Sequence, residues 1–369
     1  MGETDVFIVG GGPAGLAAAI AARQSGLEVT VADIAQPPID KACGEGIMPN
    51  GVAALEALGV NIPSQDAARF TGIRLADSTV SVESRFPQHF GLGIRRTILH
   101  QLLIDRATET GVSMHWAAHV SGVGPHEVFV NGQLVRSRWM IGADGQNSRF
   151  RKWMGLKALR PARRRYGFRR HIQCEPWSEF VEVYWNKGCQ LYVTPVNAKE
   201  ICVALITSDP KTRFKDVAVL FPQLARRWGE LPLLTREQGA ISCSQRFPRV
   251  YRGNRALIGE ASGSVDAITG EGLSMAFQQA LALGEALKKN DLRIYQRAHQ
   301  KIWRLPSIMA ASMLGMDNHA WLRQRVLRVF SANPALFSRL LAIHSGMLAP
   351  VDFGMTEAFS LGWKLLVAY

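Results

Sequence analysis

The stretch DVFIVGGGPAGLAAAIAARQSGLEVTVAD, residues 5–33, decides the fold. Its apolar residues 6–9 have the length of a short buried strand, and a glycine-rich turn follows them. A helix pattern runs from residue 14 to about residue 25 and stops at Gly26, a residue type that commonly ends helices. A second strand pattern covers residues 27–32. The order strand, turn, helix, strand predicts a β-α-β unit of a Rossmann-like domain.

Within this unit, Gly10, Gly12 and Gly15 have the spacing Gly-x-Gly-x-x-Gly. The first glycine permits a tight turn, the second lets the backbone approach a pyrophosphate, and the third lets the helix pack closely on the strand. The helix N-terminus offers free N–H groups to the phosphates, and the acid at the end of the second strand can bind a ribose. The predicted dinucleotide contacts are Gly10, Gly12, Pro13, Ala14, Gly15 and Asp33.

Two later segments each join a short strand pattern to a polar, glycine-rich loop. The first is RWMIGADGQNSRFRKWMG, residues 138–155, and the second is RALIGEASGSVDAITGEGLSMAFQQALALGEAL, residues 255–287. The second segment ends in a helix pattern. The residues of interest are Asp144, Gly145, Ser148 and Arg151 in the first loop, and Gly259, Glu260, Gly270, Glu271 and Gly272 in the second.

With these segments in this order, residues 5–290 resemble the FAD-dependent oxidoreductases of the p-hydroxybenzoate hydroxylase fold. That group includes aromatic hydroxylases, flavin halogenases and geranylgeranyl reductases. The first loop resembles its Asp-Gly-x-x-Ser-x-x-Arg motif, and the second resembles its Gly-Asp motif with Glu260 in place of aspartate and Ala267 in place of the usual proline. The resemblance implies an α/β (α+β) fold: a Rossmann-like FAD-binding domain, an inserted, mostly antiparallel substrate sheet, and a helical C-terminal region.

The resemblance also implies how the cofactor is held. In the group, the acid at the position of Glu260 binds the ribityl chain, and the glycines at 270 and 272 lie beside the flavin pyrimidine. An arginine before a helix contacts FAD; Arg96, followed by Thr97 as the N-cap, is the candidate here, and its neighbour Arg95 stays open. The FAD contacts implied outside the first unit are Cys43, Arg96, Val120, Asp144, Gly145, Gly259, Glu260, Gly270, Gly272 and Leu273.

The resemblance also implies the domain boundaries. Residues 1–70, 92–160 and 248–290 form the FAD-binding domain, 71–91 and 161–247 the substrate domain, and 291–369 the helical region. Four strand patterns between residues 160 and 207 supply the substrate sheet. Its candidate pocket residues are His171, Tyr184, Trp185, Tyr192 and Pro195.

The segment KACGEGI, residues 41–47, resembles the Cys-Gly-Glu stretch of geranylgeranyl reductases and of related oxidoreductases found with polyketide synthases. In those proteins the cysteine lies near the isoalloxazine ring, which makes Cys43 the one candidate catalytic residue. It could tune the flavin, contact substrate or simply pack. The aromatic motif Tyr-x-Trp-x-Phe-Pro of geranylgeranyl reductases is not met, because residues 190–195 preserve only its proline.

The amino-acid composition excludes several classes of protein and of partner. The chain has 369 residues, 43 Lys and Arg against 30 Asp and Glu, and a formal charge of +13. Its apolar fraction of 47% excludes a disordered chain, and its five scattered cysteines argue against a metal or disulfide framework. Residues 149–170 contain ten Lys or Arg and no acid. This stretch could meet NAD(P)H phosphates, a carrier- or CoA-linked substrate, an anionic bilayer or only solvent; nucleic acid is excluded because no recognition motif accompanies it.

The ends of the sequence show no signal-peptide pattern, and no apolar run reaches 18 residues. We therefore expect a cytoplasmic protein. Basic amphipathic helix patterns between residues 291 and 345 leave a peripheral membrane contact open. The oligomeric state is open as well.

The expected function is that of an FAD-dependent monooxygenase, which uses NAD(P)H as a transient electron donor and O2 to hydroxylate a bulky apolar aromatic or polyketide-like substrate. Three alternatives remain: a geranylgeranyl-reductase-like flavoprotein that reduces lipid or prenyl double bonds, a non-enzymatic FAD-fold binding protein, and a flavin halogenase.

Overall fold

A computed structural model describes residues 2–159, 163–186 and 188–348. Its strands are β1 (Glu3–Val9), β2 (Val29–Ala32), β3 (Gly46–Ile47), β4 (Ala67–Phe70), β5 (Gly72–Ala76), β6 (Ser81–Arg85), β7 (Gly91–Ile94), β8 (Ser113–His115), β9 (Val120–Val123), β10 (Glu127–Val130), β11 (Gln133–Gly142), β12 (Arg163–Gln173), β13 (Phe180–Asn186), β14 (Cys189–Asn197), β15 (Glu200–Thr207), β16 (Gln238–Arg246), β17 (Tyr251–Arg252), β18 (Arg255–Leu257) and β19 (Gly263–Ser264). Its α-helices are α1 (Pro13–Gln24), α2 (Pro49–Ala57), α3 (Arg96–Glu109), α4 (Arg149–Trp153), α5 (Val217–Leu220), α6 (Pro222–Trp228), α7 (Gly272–Lys288), α8 (Leu292–Asn318), α9 (Ala320–Ala332) and α10 (Pro334–His344).

The first large sheet has a parallel centre. Its main order is β17-β18-β11-β1-β2-β8, and β1 pairs in parallel with both β2 and β11. The apolar strands of this centre are buried: α1 packs on β1 and β2, and α7 packs in turn on α1. This is the predicted Rossmann-like layer, so the fold class is confirmed.

The second large sheet has the order β19-β16-β12-β15-β14-β13-β5-β6. Its pairings are antiparallel except that of β13 with β5. The four strands predicted between residues 160 and 207 are β12 to β15. A small third sheet, β3-β7-β4, has no counterpart in the sequence-based prediction.

The helices after residue 291 cover the space between the two large sheets. Helix α8 packs on α7, and the hydroxyl of Tyr295 donates to the carbonyl oxygen of Leu257 at 2.7 Å. Helices α9 and α10 pack on β6. Among the described residues, no single helix is long and apolar enough to cross a membrane; α9 and α10, bent by 108°, pass that length and composition criterion only as a pair. The apolar end 361–369 lies outside the described residues.

Candidate active site

One cavity of about 980 Å³ is bordered by the loops of the first sheet, by the second sheet and by the C-terminal helices. Every residue predicted to contact the cofactor lines this cavity except Gly15. Gly15 has a packing role instead, because a Cβ atom placed on it would lie 1.8 Å from the carbonyl oxygen of Gly10. The structure therefore brings together residues that the sequence separates by up to 263 positions, from Gly10 to Leu273.

The glycine-rich turn leaves open space at the N-terminus of α1. Gly10 has a φ of +112°, and a Cβ there would lie 2.4 Å from the carbonyl oxygen of Ala143. Gly12 precedes the helix, and a Cβ there would meet nothing within 4 Å. A phosphate can approach this backbone, where the free N–H groups and the helix dipole favour an anion.

Asp33 is held in place at the end of β2. Its Oδ2 accepts from the backbone N–H of Gly11 at 2.6 Å, and its Oδ1 accepts from that of Ala35 at 2.8 Å. A carboxylate has about four acceptor sites, so capacity remains for a ribose hydroxyl.

His100 is a supporting residue that sequence reasoning missed. Its Nδ1 accepts from the backbone N–H of Ile39 at 3.2 Å, so its Nε2 carries the hydrogen and donates to the Gly11 carbonyl at 2.8 Å. Burial lowers the pKa of this imidazole, which agrees with a neutral ring. Nothing in the sequence marks His100, because its partners lie 61 and 89 positions away.

The Asp-Gly segment is tied to the second loop. Ser148 caps α4 by accepting from the backbone N–H of Arg151 at 2.8 Å. The buried guanidinium of Arg151 donates to the carbonyl oxygens of Gln146 and Ala261 at 2.8 and 3.0 Å. The Oδ1 of Asp144, a cavity-lining residue, is buried and has no hydrogen-bond partner among the described residues. A bound polar group in the cavity would satisfy it.

Glu260 forms an ion pair across the cavity. The Nζ of Lys41 lies 2.5 Å from its Oε2, and both residues line the cavity. A ribityl chain that contacts Glu260 must therefore share this carboxylate with Lys41. The lysine is a second functional candidate that sequence reasoning missed.

The structure distinguishes the two neighbouring arginines. Arg96 lines the cavity, whereas Arg95 lies 3.7 Å from the carboxylate of Glu200. The prediction of Thr97 as the N-cap is wrong: α3 begins at Arg96, whose backbone N–H donates to Oε1 of Glu45 at 2.9 Å. The Nε of Arg96 is buried and unpartnered among the described residues.

Glu45 is the centre of a buried charge network. It is 1% exposed and has a φ of +59°, an unusual conformation for a residue with a side chain. Its Oε1 accepts a hydrogen bond from Nη1 of Arg169 at 3.1 Å, and its Oε2 lies 2.6 Å from Nε2 of His171. Arg169 also donates to Asp40 at 2.7 Å. Burial alone would lower the pKa of Arg169, but Glu45 and Asp40 hold it above its ordinary value.

This network positions the loop that carries Cys43. Asp40 and Glu45 flank the cysteine, and both are bound by Arg169 from β12. Cys43 lines the cavity and its sulfur accepts from the backbone N–H of Glu45 at 3.3 Å. Glu45, His171 and Cys202 place potential metal ligands within 4.8 Å of one another, but a guanidinium in contact with the first two disfavours a metal cation there.

Of the predicted substrate-pocket residues, Tyr192 lines the cavity and donates its hydroxyl to the Ile268 carbonyl at 2.6 Å. The structure places the other four elsewhere, and they do not line the cavity: His171, Tyr184, Trp185 and Pro195.

Strand geometry explains two of these corrections, those of Tyr184 and Pro195, because successive side chains point to opposite faces. Tyr184 donates to Glu182 at 2.6 Å on the face away from the cavity. His171 is on the same face as Thr194, but its ring contacts Glu45, which itself lines the cavity. Thr194 rather than Pro195 reaches the cavity. Trp185 shares a face of β13 with the cavity-lining Val183, but it packs inside an apolar cluster and does not reach the cavity.

The rest of the cavity is an apolar chamber that the sequence did not reveal. Its sheet wall is formed by Ile73, Leu75, Val181 and Val183. Its helix wall is formed by Met309, Met313, Met316, Leu322, Val326, Phe330, Phe337, Leu340 and Leu341. Unbranched methionines adapt to irregular ligands, so this wall suits a large apolar molecule.

The basic stretch 149–170 is not one uniform surface. Arg151, Arg165 and Arg169 are buried and bound within the protein; Arg165 donates to Asp317 at 2.9 Å. Arg149 is exposed and lines the cavity. Arg160 lies outside the described residues.

Comparison with known proteins agrees with an FAD-binding fold. A family model described as FAD binding domain matches residues 3–290. A menaquinone reductase of Mycobacterium tuberculosis is 28% identical over 84% of this chain and 80% of its own length. A 6-methylpretetramide 4-monooxygenase of Streptomyces rimosus is 27% identical over 79% and 77%. A flavoprotein/dehydrogenase structure from Cytophaga hutchinsonii, 15% identical, covers 99% of both chains with a TM-score of 0.84, which shows the shared fold.

Proposed function

We propose that this chain, which belongs to the FAD-binding domain family, is a flavoprotein reductase. In this proposal it saturates a carbon–carbon double bond in a bulky apolar lipid or quinone substrate. The family makes it an FAD-dependent oxidoreductase. FAD, when bound, supplies the electron pair. The residues present suit this cofactor, as the open turn at Gly12 and the unpartnered Oδ1 of Asp144 indicate.

The observation that carries the proposal is the continuity of the cavity. The dinucleotide cradle, defined as the cavity wall around Gly12, Asp33, Asp144 and Glu260, opens directly into the apolar chamber. An apolar substrate in this chamber would lie next to the flavin, away from water.

Two observations favour reduction. Cys43 and Glu45 of the Cys-Gly-Glu stretch both line the cavity, and the Arg169 network holds their loop in place. The relatives also include menaquinone reductases, one of them at the similarity given above. These support a reductase more than the aromatic hydroxylation expected from the sequence.

Hydroxylation is the second candidate. The relative from Streptomyces rimosus is a monooxygenase, and its similarity to this chain is close to that of the menaquinone reductase. Gly270 and Gly272, at the start of α7, line the cavity and suit a bound flavin in either reaction. In either reaction NAD(P)H is the proposed electron donor, with Arg149 at the rim as a candidate phosphate contact.

Product mass separates the two reactions. Purified FAD-loaded protein is incubated with menaquinone and either NADH or NADPH, with and without O2. The proposal expects a product that forms without O2 and stays two hydrogen atoms heavier after its quinone ring has been re-oxidised in air, because reduction of the ring alone is reversed by that step. A product heavier by one oxygen atom, formed only in air, would instead establish the monooxygenase. Consumption of NADH or NADPH identifies the donor.

A further inference from the structure

Glu271 and His344 form a buried pair in the cavity wall. Glu271 precedes α7, between the two glycines expected beside the flavin, and His344 is the last residue of α10; both line the cavity. The Oε2 of Glu271 lies 3.7 Å from Nδ1 of His344, and the residues are 2% and 5% exposed. Neither atom has a hydrogen-bond partner among the described residues.

The surroundings of this pair favour a protonated acid. Burial raises the pKa of Glu271 to about 8 and lowers that of His344 to about 4. Although a helix N-terminus favours a carboxylate, the side chain of Glu271 accepts none of the free N–H groups of α7. At neutral pH the carboxyl group therefore carries a proton and the imidazole is neutral.

Glu271 differs from every other carboxyl group that lines the described cavity. Each of the others accepts at least one hydrogen bond: Asp33, Glu45, Asp144, Glu260 and Asp266. A buried acid without a partner destabilises a protein, so packing gives no reason for it. Perturbed acids in clefts are typical of catalytic sites.

We propose that Glu271 is the general acid of the reduction and that His344 is the neighbour through which it regains its proton. This inference rests on the proposed function. Saturation of a carbon–carbon double bond needs a hydride and a proton. FAD, when bound and reduced, would supply the hydride and would be oxidised in doing so. The O–H bond of Glu271 breaks, a C–H bond forms on the second carbon as the π bond breaks, and the resulting carboxylate is reprotonated from water through His344.

The first test needs no substrate. Infrared difference spectra are recorded at pH 7 in H2O and D2O for the wild type, for Glu271→Gln and for Glu285→Gln. Glu285 lies on the same helix, exposed and paired with Lys289, and is the matched control. The proposal expects a carboxylic-acid carbonyl band that disappears only in Glu271→Gln. The same band in all three proteins, or in none, would overturn it, and this result stands even if the protein proves to be a monooxygenase.

The second test is kinetic and uses menaquinone under anaerobic conditions. Glu271→Gln is expected to lower the rate of double-bond reduction by about a hundredfold, a typical contribution of a general acid, while the rate of flavin reduction by the donor is unchanged. The solvent deuterium isotope effect on product formation should disappear. His344→Gln should leave the first turnover unchanged and slow later ones. A rate within twofold of wild type for Glu271→Gln would overturn the proposal. If wild type yields no product with a saturated double bond, the proposed function fails, and the infrared result decides the protonation of Glu271 by itself.

Discussion

The dinucleotide cradle and the apolar chamber share one cavity but are built in different ways. The cradle depends on the backbone of short contiguous segments, above all the turn from Gly10 to Gly15. The chamber is formed by side chains from β5, β13 and the helices after residue 291. A site built from backbone tolerates almost no substitution at its glycines, whereas a side-chain wall can be changed one residue at a time.

The largest expected effect distinguishes packing from ligand approach within the cradle. Gly15→Ala places a Cβ 1.8 Å from the carbonyl of Gly10 and is expected to prevent folding of the β1–α1 unit. Gly12→Ala meets no protein atom within 4 Å, so this variant should fold but lose its flavin. Circular dichroism and the flavin absorbance per mole of protein measure the two outcomes. Equal folding of the two variants by circular dichroism, or a Gly12→Ala variant that keeps its flavin, would contradict this division of roles.

The next largest effect concerns the buried charge network around Glu45 and Arg169, between the cradle and the chamber. Arg169→Met leaves Glu45 and Asp40 without their cation and should lower the free energy of unfolding by about 3–5 kcal/mol. The control is Arg170→Met, because Arg170 is only half-buried and lies over the ring of Phe214; its loss should be about 1 kcal/mol or less. Urea denaturation measures both. Equal losses would show that the network does not stabilise the Cys43 loop.

A smaller effect is a pH dependence. Because the pKa of Glu271 is about 8 in the folded protein and 4.5 ordinarily, its stabilising contribution is lost as the pH rises towards 8. The lowered pKa of His344 acts in the opposite direction, but only below its ordinary value of 6.5. Between pH 6.5 and 8, Glu271→Gln should therefore gain about 2 kcal/mol of stability relative to wild type. Urea denaturation at pH 6.5 and pH 8 checks this. A difference in unfolding free energy between variant and wild type that is the same at both pH values would contradict it.

The smallest effect belongs to the chamber. Phe337 stacks on Phe330 with ring centroids 4.9 Å apart, and both line the cavity. Phe337→Leu removes contact area and should raise KM for menaquinone by about tenfold while flavin content stays unchanged. A loss of flavin instead would mean that the chamber and the cradle are not separable.

The difference between a cradle built from backbone and a chamber built from side chains explains which site residues could be predicted from the sequence. Gly10, Gly12 and Asp33 are predictable because backbone geometry demands these residues at these spacings. The substrate residues are harder, since Val183 lines the cavity and Tyr184 does not, although both belong to one strand. The wall residue Phe337 and the pairing of Glu271 with His344 depend on how α10 meets the start of α7, which is a tertiary contact without a local signal. Arg169 reads as part of a basic stretch, yet it is a buried partner of Glu45.

One measurement tests the central claim, that a single cavity joins the flavin to an apolar double bond. The flavin of the purified protein is reduced in the absence of O2, and the protein is mixed with one equivalent of menaquinone while the flavin absorbance is followed. The account predicts that oxidised flavin returns in step with one equivalent of product that remains two hydrogen atoms heavier after its quinone ring is re-oxidised, which separates a saturated double bond from a quinol. Flavin that stays reduced until O2 is admitted, followed by an oxygenated product, would contradict it.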